Sequence, residues 1–88
     1  MAAVQTPVAD GHRIYLYMTT NEFELYRAHA DTSKGVVFNQ PTALQTNVSV
    51  ADYTWFDVEP DEEKKKNLIY TIAKNDSKIK CVRDSWAA

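Results

Sequence analysis

The chain has 88 residues, of which 44% are apolar and 25% are charged, and its ten basic and twelve acidic side chains give a net charge of -2. This length and composition support one small globular domain that buries about 60 to 65% of its unfolded surface, and they exclude a disordered or fibrous protein. The basic residues are scattered apart from residues 64–66, which argues against duplex nucleic acid as a partner because that affinity depends on clustered lysines and arginines.

Residues 1–11 are predicted to form a flexible N-terminal leader. They are small and polar, they contain Pro7 and Gly11, and their hydropathy has no period. The single compact domain is therefore expected to span residues 12–88.

A β-hairpin is predicted over residues 13–28, RIYLYMTTNEFELYRA. Apolar side chains alternate with period two on both sides of a polar break at residues 19–21. The alternative is a helix over residues 21–30, because Asn21 would cap it and two acidic residues would lie in its first turn.

Three further strands are predicted in the middle of the chain. VVFNQ (residues 36–40) ends at Pro41, which supplies no hydrogen-bond donor to a sheet. ALQTNVSV (residues 43–50) alternates apolar and polar side chains, as a half-buried strand does. YTWFDV (residues 53–58) is rich in aromatic and β-branched residues, which favour strands.

The charge reversal EPDEEKKK, residues 59–66, predicts a helix start. Pro60 suits the first helical position, and the acidic residues after it would lie at the positive end of the helix dipole. We expect one or two helical turns over residues 60–66 and then strands at residues 68–73 and 78–84, joined by the turn KNDSK. A full helix over residues 60–74 is the alternative.

Together these segments predict a β-rich α+β domain. We expect a small antiparallel sheet or open barrel of about five to seven short strands, with one short helix near residues 60–74. An all-β fold is the alternative fold class.

The acidic run does not match a calcium loop, although Asp57, Glu59 and Asp61 occupy alternate positions as EF-hand ligands do. The template requires glycine at its sixth position and glutamate at its twelfth, where this chain has Glu62 and Leu68. We therefore predict no metal site.

Catalytic motifs are also missing from the sequence. Cys81 has no recognisable spacing to His12 or His29, and there is no glycine-rich phosphate loop and no Gly-x-Ser-x-Gly elbow. The protein is predicted to be no enzyme and to need no cofactor.

The single cysteine cannot form an internal disulfide, and the N-terminus lacks the basic and apolar regions of a signal peptide. These features predict a reducing, cytoplasmic location. No apolar run approaches the roughly 20 residues of a membrane span, so no membrane association is expected.

A tyrosine-rich face is predicted on the first hairpin. If Ile14, Leu16 and Met18 face the core, the side chains of Tyr15, Tyr17 and Tyr26 point to the opposite face, beside Arg27. Tyrosine and arginine are enriched in binding hot spots. The alternative is that a second layer covers this face, which would make the tyrosines part of the core.

From these observations we predict a non-enzymatic protein-binding module, either a small inhibitor or an adaptor that docks on a larger protein. The predicted contact residues form a tyrosine face and an acidic corner: Tyr15, Tyr17, Tyr26, Arg27, Asp57, Glu59, Asp61 and Glu62.

Two other functions are alternatives. A carbohydrate-binding protein would stack a sugar on Trp55 and bind its hydroxyls through Asn39, Gln40 and Asn47. Single-stranded nucleic acid on the tyrosine face is less favoured, because stacking fits but the net charge does not.

Overall fold

The computed structural model describes residues 1–20, 23–44, 46, 49–50, 56–75 and 77–87, with Phe56 described by its backbone alone. The described part of the chain contains seven strands: β1 (Ala2–Val8), β2 (Gly11–Thr19), β3 (Leu25–Asp31), β4 (Thr42–Ala43), β5 (Phe56–Asp61), β6 (Lys66–Ile72) and β7 (Ile79–Ser85). Its one helical element is a single 3-10 turn at Thr32–Lys34.

The strands form two antiparallel sheets, in the orders β1-β2-β3-β4 and β5-β6-β7. The sheets face each other, and β1 lies next to β5. Side chains from both sheets form the core, which consists of Tyr15, Tyr17, Leu25, Ile69 and Val82. The predicted β-rich antiparallel domain is therefore confirmed, and the chain is built as two layers around one core.

The segment expected to be a flexible leader is instead strand β1, so that expectation was wrong. β1 pairs with β2 from Ala2 opposite Tyr17 to Val8 opposite Gly11. Its inward positions include Val4 and the buried Thr6. The turn at residues 9–10 requires Gly11, whose φ of 146° is open only to glycine.

The predicted hairpin of residues 13–28 is confirmed as β2 and β3, and the helical alternative is wrong. The faces of β2 are reversed from the expectation, however. Tyr15 and Tyr17 are 0% exposed and point into the core, while Leu16 on the outer face is only half-buried. The tyrosines point inward because their rings fill the space between the sheets and their hydroxyls find partners there.

The predicted strand VVFNQ is wrong. Residues 36–41 have no strand structure, and Val37 is 76% exposed. This segment runs beside β3, where the Asn39 amide donates to the carbonyl of His29 and the His29 amide donates to Oδ1 of Asn39.

The predicted strand over residues 43–50 is represented by β4 and by an isolated bridge between Val50 and Ala73. Residues 45, 47 and 48 of that prediction lie outside the described residues. So do residues 53–55 of the next predicted strand, whose remaining residues begin β5.

No helix forms at residues 60–74, so both the short helix and its longer alternative were wrong. β5 runs through Pro60 to Asp61, residues 62–65 form a turn, and β6 begins at Lys66 opposite Asp61. Pro60 is tolerated because β5 is an edge strand of its sheet. Oδ1 of Asp61 accepts a 3.2 Å hydrogen bond from the amide of Lys64 and stabilises the turn.

The predicted strands at residues 68–73 and 78–84 are confirmed as β6 and β7, which pair along their whole length. In the part of the chain that the structure describes, no helix is long and apolar enough to cross a membrane.

Candidate protein-binding surface

A chain of hydrogen bonds crosses the interior from one sheet to the other. The hydroxyl of Tyr17 donates to Oδ2 of Asp84 at 2.6 Å and accepts from Nδ2 of Asn67 at 2.8 Å. Nε1 of Trp86 donates to Oδ1 of Asn67 at 2.9 Å. Burial raises the pKa of Tyr17, and the hydrogen bond to Asp84 adds to the increase, so this hydroxyl stays protonated.

Arg27 completes this network at the open side of the core. Its Nη1 lies 2.8 Å from Oδ2 of Asp84 and 3.1 Å from the carbonyl oxygen of Ser85. Both charged side chains are largely buried, with 17% of Arg27 and 12% of Asp84 exposed. Burial opposes the charge of Arg27, but the hydrogen bond and charge of Asp84 prevail and raise its pKa.

A second network fixes the end of the described chain. Arg13 donates from Nε to Oδ1 of Asp31 at 2.6 Å and from Nη1 to the carbonyl of Ala87 at 2.7 Å. The amide of Ala87 in turn donates to the hydroxyl of Tyr15 at 2.9 Å. The hydrogen bond from Arg13 lowers the pKa of Asp31, which therefore stays ionised.

The hydrogen bonds of Tyr15 and Tyr17 show that the predicted tyrosine face is not an exposed surface. Tyr15 and Tyr17 have no accessible surface, so the expectation that they are exposed contact residues was wrong. Tyr26 is half-buried on the opposite face of the first sheet, because it pairs with Met18 rather than sharing the side of Tyr17. The structure therefore does not bring the three tyrosines together, and Arg27 is engaged with Asp84.

The predicted acidic corner, in contrast, is assembled. Asp57, Glu59 and Asp61 lie on the outer face of β5, because they occupy alternate positions of one strand. Glu62 follows in the turn. We call Asp57, Glu59 and Asp61 the acidic column.

An apolar row lies beside the acidic column on the same face. Leu68, Tyr70 and Ile72 occupy the outer face of β6, and all three are half-buried. Ile79 extends the row onto β7 opposite Ile72 and is 68% exposed. We call these four residues the outer strip.

Tyr70 connects the strip to the acids. It pairs with Asp57 across the strands, and its hydroxyl donates a 2.9 Å hydrogen bond to Oε1 of Glu59. This hydrogen bond raises the pKa of Tyr70, so the hydroxyl remains a donor at neutral pH. The ring is thereby held in one orientation on the surface.

Sequence reasoning missed the outer strip. The signal was present, since LIYTIA has apolar side chains on both faces of a strand, and only one of those faces can pack against the other sheet. The polar residues Asn67 and Thr71 instead share the inner face with Ile69. A prediction that places polar side chains on the outer face would therefore assign the two faces of β6 the wrong way round.

Of the residues considered for carbohydrate binding, Asn39 and Gln40 belong to the described part of the chain. Asn39 uses its side-chain oxygen on the backbone of His29, while Trp55 and Asn47 lie outside the described residues. Among the residues that the structure describes, no three acidic, histidine or cysteine side chains converge as metal ligands would.

Comparison with protein-family models, with curated proteins and with solved structures finds no match to this chain.

Proposed function

We propose that the protein is a non-enzymatic binding module that docks on a larger protein through the outer face of β5, β6 and β7. The observation that carries this proposal is the apolar outer strip, half-buried along β6 and exposed at Ile79, immediately beside the acidic column. The surface it would recognise is apolar at its centre and basic along one side.

The outer strip supplies the apolar part of the contact. Contiguous apolar surface on a small domain marks an interaction site more often than scattered apolar residues do. Ile79 is 68% exposed, and the three residues of β6 lie in a row beside it at the period of a strand. Burying this row would provide the hydrophobic part of the binding free energy.

The acidic column would attract a basic partner surface and exclude an acidic one. Its three carboxylates carry no salt bridge in the described part of the chain, and they point to the same side as the strip. Charges at the rim of an interface chiefly raise the association rate and exclude partners of like charge. We therefore expect the affinity to decrease as the salt concentration rises.

Tyr70 is the proposed hot spot. It lies at the centre of the strip, and its hydrogen bond to Glu59 reduces the side-chain entropy that binding would otherwise cost. Tyrosine is among the residues most enriched in hot spots because it joins a rigid apolar ring to a polar end.

The test is quantitative capture from a lysate of the native host with immobilised wild-type and variant protein. Tyr70→Ala and Glu59→Lys are expected to reduce the recovery of the specific partner by about tenfold or more. Tyr26→Ala in β3 and Glu24→Lys just before β3 change the same residue types away from the proposed surface and are expected to leave recovery unchanged.

Equal recovery by Tyr70→Ala and by wild-type protein would refute the proposed surface, provided that both proteins show the same unfolding midpoint. Once a partner is in hand, its activity in the presence of this protein separates the two roles. An inhibitor abolishes that activity at stoichiometric ratio, whereas an adaptor leaves it intact.

A further inference from the structure

Arg13 and Arg27 lie on the inner face of the first sheet and use one guanidinium nitrogen in the same way. Nη1 of Arg13 donates to the carbonyl of Ala87 at 2.7 Å, and Nη1 of Arg27 donates to the carbonyl of Ser85 at 3.1 Å. The Nε–H group and one N–H group of Nη2 point the same way in any arginine, and together they form a fork that fits the two oxygens of a carboxylate. The two arginines differ at this fork.

The fork of Arg13 binds an aspartate of the same chain. Nε lies 2.6 Å from Oδ1 of Asp31, and Nη2 lies 3.2 Å from Oδ2. Asp31 stands directly opposite Arg13 in the pairing of β2 with β3, so its side chain points to the same face of the sheet. This pair shows which chemical group the fork of an arginine takes in this fold.

No group in the described part of the chain binds the fork of Arg27. Its hydrogen bonds to Asp84 and Ser85 both come from Nη1. The residue directly opposite Arg27 on β4 is Thr42, which has no carboxylate. Nε and Nη2 are not enclosed without a partner, so the fork is accessible to solvent. Three of the five N–H groups of Arg27 are therefore free to donate.

Arg27 lines a cleft of about 350 Å³ between β4 and β7, which lies near the lower end of the range for small-molecule sites. Leu44 and Val82 contribute apolar groups to its walls. Its charged residues are Arg27, Arg83 and Asp84. Asp84 balances one of the two positive charges, so the cleft as a whole favours an anion.

The guanidinium of Arg27 is held in place before any ligand binds. Nη1 lies 2.8 Å from Oδ2 of Asp84, and Cζ lies 5.5 Å from the centre of the ring of the buried Tyr15. A fixed fork loses little side-chain entropy when it binds a ligand, and its plane determines the orientation of the bound group.

We propose that the cleft between β4 and β7 binds a small organic carboxylate, whose two oxygens accept hydrogen bonds from Nε and Nη2 of Arg27. The bound group takes the position relative to Arg27 that Asp31 has relative to Arg13. The hydroxyl of Thr42, on the same face as Arg27, would donate a further hydrogen bond to it. The apolar walls of the cleft would contact a tail of a few carbon atoms.

This site is separate from the outer strip, so the proposal goes beyond the docking function and the two can fail independently. Tyr70→Ala removes the proposed hot spot of the outer strip and is expected to leave binding in the cleft unchanged.

The first test is an NMR titration of the isotope-labelled wild-type protein with butyrate, butyramide and butylamine, which share one short apolar tail. Butyrate is expected to shift the Nε–H resonance of Arg27 with a Kd of about 1 to 10 mM, the range open to a ligand of so few atoms. Butyramide is expected to bind at least about tenfold more weakly, and butylamine not at all. The Nε–H resonance of Arg13 is the internal control and is expected to stay in place, because Asp31 already binds it.

The second test compares Thr42→Asp with Thr42→Asn. Aspartate at this position places a carboxylate opposite Arg27, as Asp31 stands opposite Arg13. Thr42→Asp is expected to weaken butyrate binding more than about tenfold and to shift the Nε–H resonance of Arg27 without ligand. Thr42→Asn has the same size without the charge and is expected to weaken binding by no more than about threefold. Thr42 is exposed, so both variants are expected to keep the unfolding midpoint of the wild type.

No shift at Arg27 in about 100 mM butyrate would overturn the proposal, and this result needs no variant. Equal binding of butyrate and butyramide, or of butyrate and inorganic phosphate, would overturn the assignment to a carboxylate. Undiminished butyrate binding by Thr42→Asp would place the ligand away from the fork and would also overturn the proposal.

Discussion

The hydroxyl of Tyr17 lies 2.6 Å from Oδ2 of Asp84 and connects β2 of one sheet to β7 of the other. Both groups also bind other partners, so the contact belongs to a polar network inside a core of only modest size. A satisfied buried network specifies one packing of the two sheets, because any other register leaves polar atoms without partners. The stability of this domain therefore depends on hydrogen bonds as well as on apolar burial.

Tyr17→Phe is expected to lower the free energy of unfolding by about 1 to 3 kcal/mol, because it removes one hydrogen bond to Asp84 and leaves the buried Nδ2 of Asn67 without its acceptor. Chemical denaturation measures the change. Tyr26→Phe is the matched control, since its hydroxyl has no partner in the described part of the chain, and we expect a change within about 0.5 kcal/mol. Equal effects of the two substitutions would contradict the role of the network.

Removing one member of the Arg27–Asp84 pair is expected to destabilise the domain by about 2 to 3 kcal/mol, because the other charge remains largely buried without its partner. The double variant Arg27→Met, Asp84→Leu is expected to be more stable than the sum of the single changes predicts. A double-mutant cycle from urea denaturation measures this coupling. A coupling near zero would show that the two side chains act independently.

His29 is expected to make stability depend on pH. Burial lowers the pKa of His29 from its ordinary value of 6.5, and the charges of Arg27 and Arg13 lower it further. Below pH 6.5 the unfolded chain therefore binds more protons than the folded one, so the free energy of unfolding decreases as the pH falls from 6.5 to the folded pKa. Above that range this histidine makes no contribution.

Denaturation over a pH series tests this expectation. His29→Gln is expected to remove the decrease below pH 6.5, whereas His12→Gln, at an exposed position of β2, is expected to retain it. Asp31 acts in a separate range: since Arg13 lowers its pKa, its contribution is present above pH 3.8 and is lost as the pH falls through the folded value. If the free energy of unfolding of His29→Gln still decreased below pH 6.5, that decrease would belong to another titratable group.

Glycine and alanine are expected to rank oppositely at two neighbouring positions of the turn between β5 and β6. Lys65 has a φ of 53°, which strains a residue with a Cβ atom, whereas Lys64 does not have a positive φ. Lys65→Gly should therefore be more stable than Lys65→Ala by about 1 kcal/mol, and Lys64→Gly less stable than Lys64→Ala by about 0.5 to 1 kcal/mol. Thermal unfolding of the four variants measures both differences.

Local periodicity was enough to predict the hairpin of β2 and β3 and the strands β6 and β7, because alternation over six or more residues is a strong signal. It was not enough for β1, whose inward residues Ala2 and Val4 are small and whose pairing depends on a strand that follows it. Pro60 followed by acids favours a helix start by local rules. Pro60 is compatible with β5 because β5 is an edge strand, and that position is a property of the whole sheet.

The acidic column followed from the sequence, because alternate residues of one strand share a face. The position of the tyrosines did not. Both faces of β2 are apolar enough to be buried, and the choice depends on the partners of the tyrosine hydroxyls, Asp84 and Ala87, which are distant in the sequence. Tyr70 was missed for the same reason, since its face is defined only once Asn67 and Thr71 are known to point inward.

The network between the sheets also determines when the protein folds during its synthesis. Asp84 and Ala87 bind side chains of β2 and β3 that are synthesised more than half the chain earlier. The hairpin of β2 and β3 emerges from the ribosome without these partners, so its buried polar groups are exposed to water until β7 follows. The two sheets can therefore complete their packing only after β7 has been synthesised. Until then, the nascent chain must stay soluble with its first sheet only partly covered.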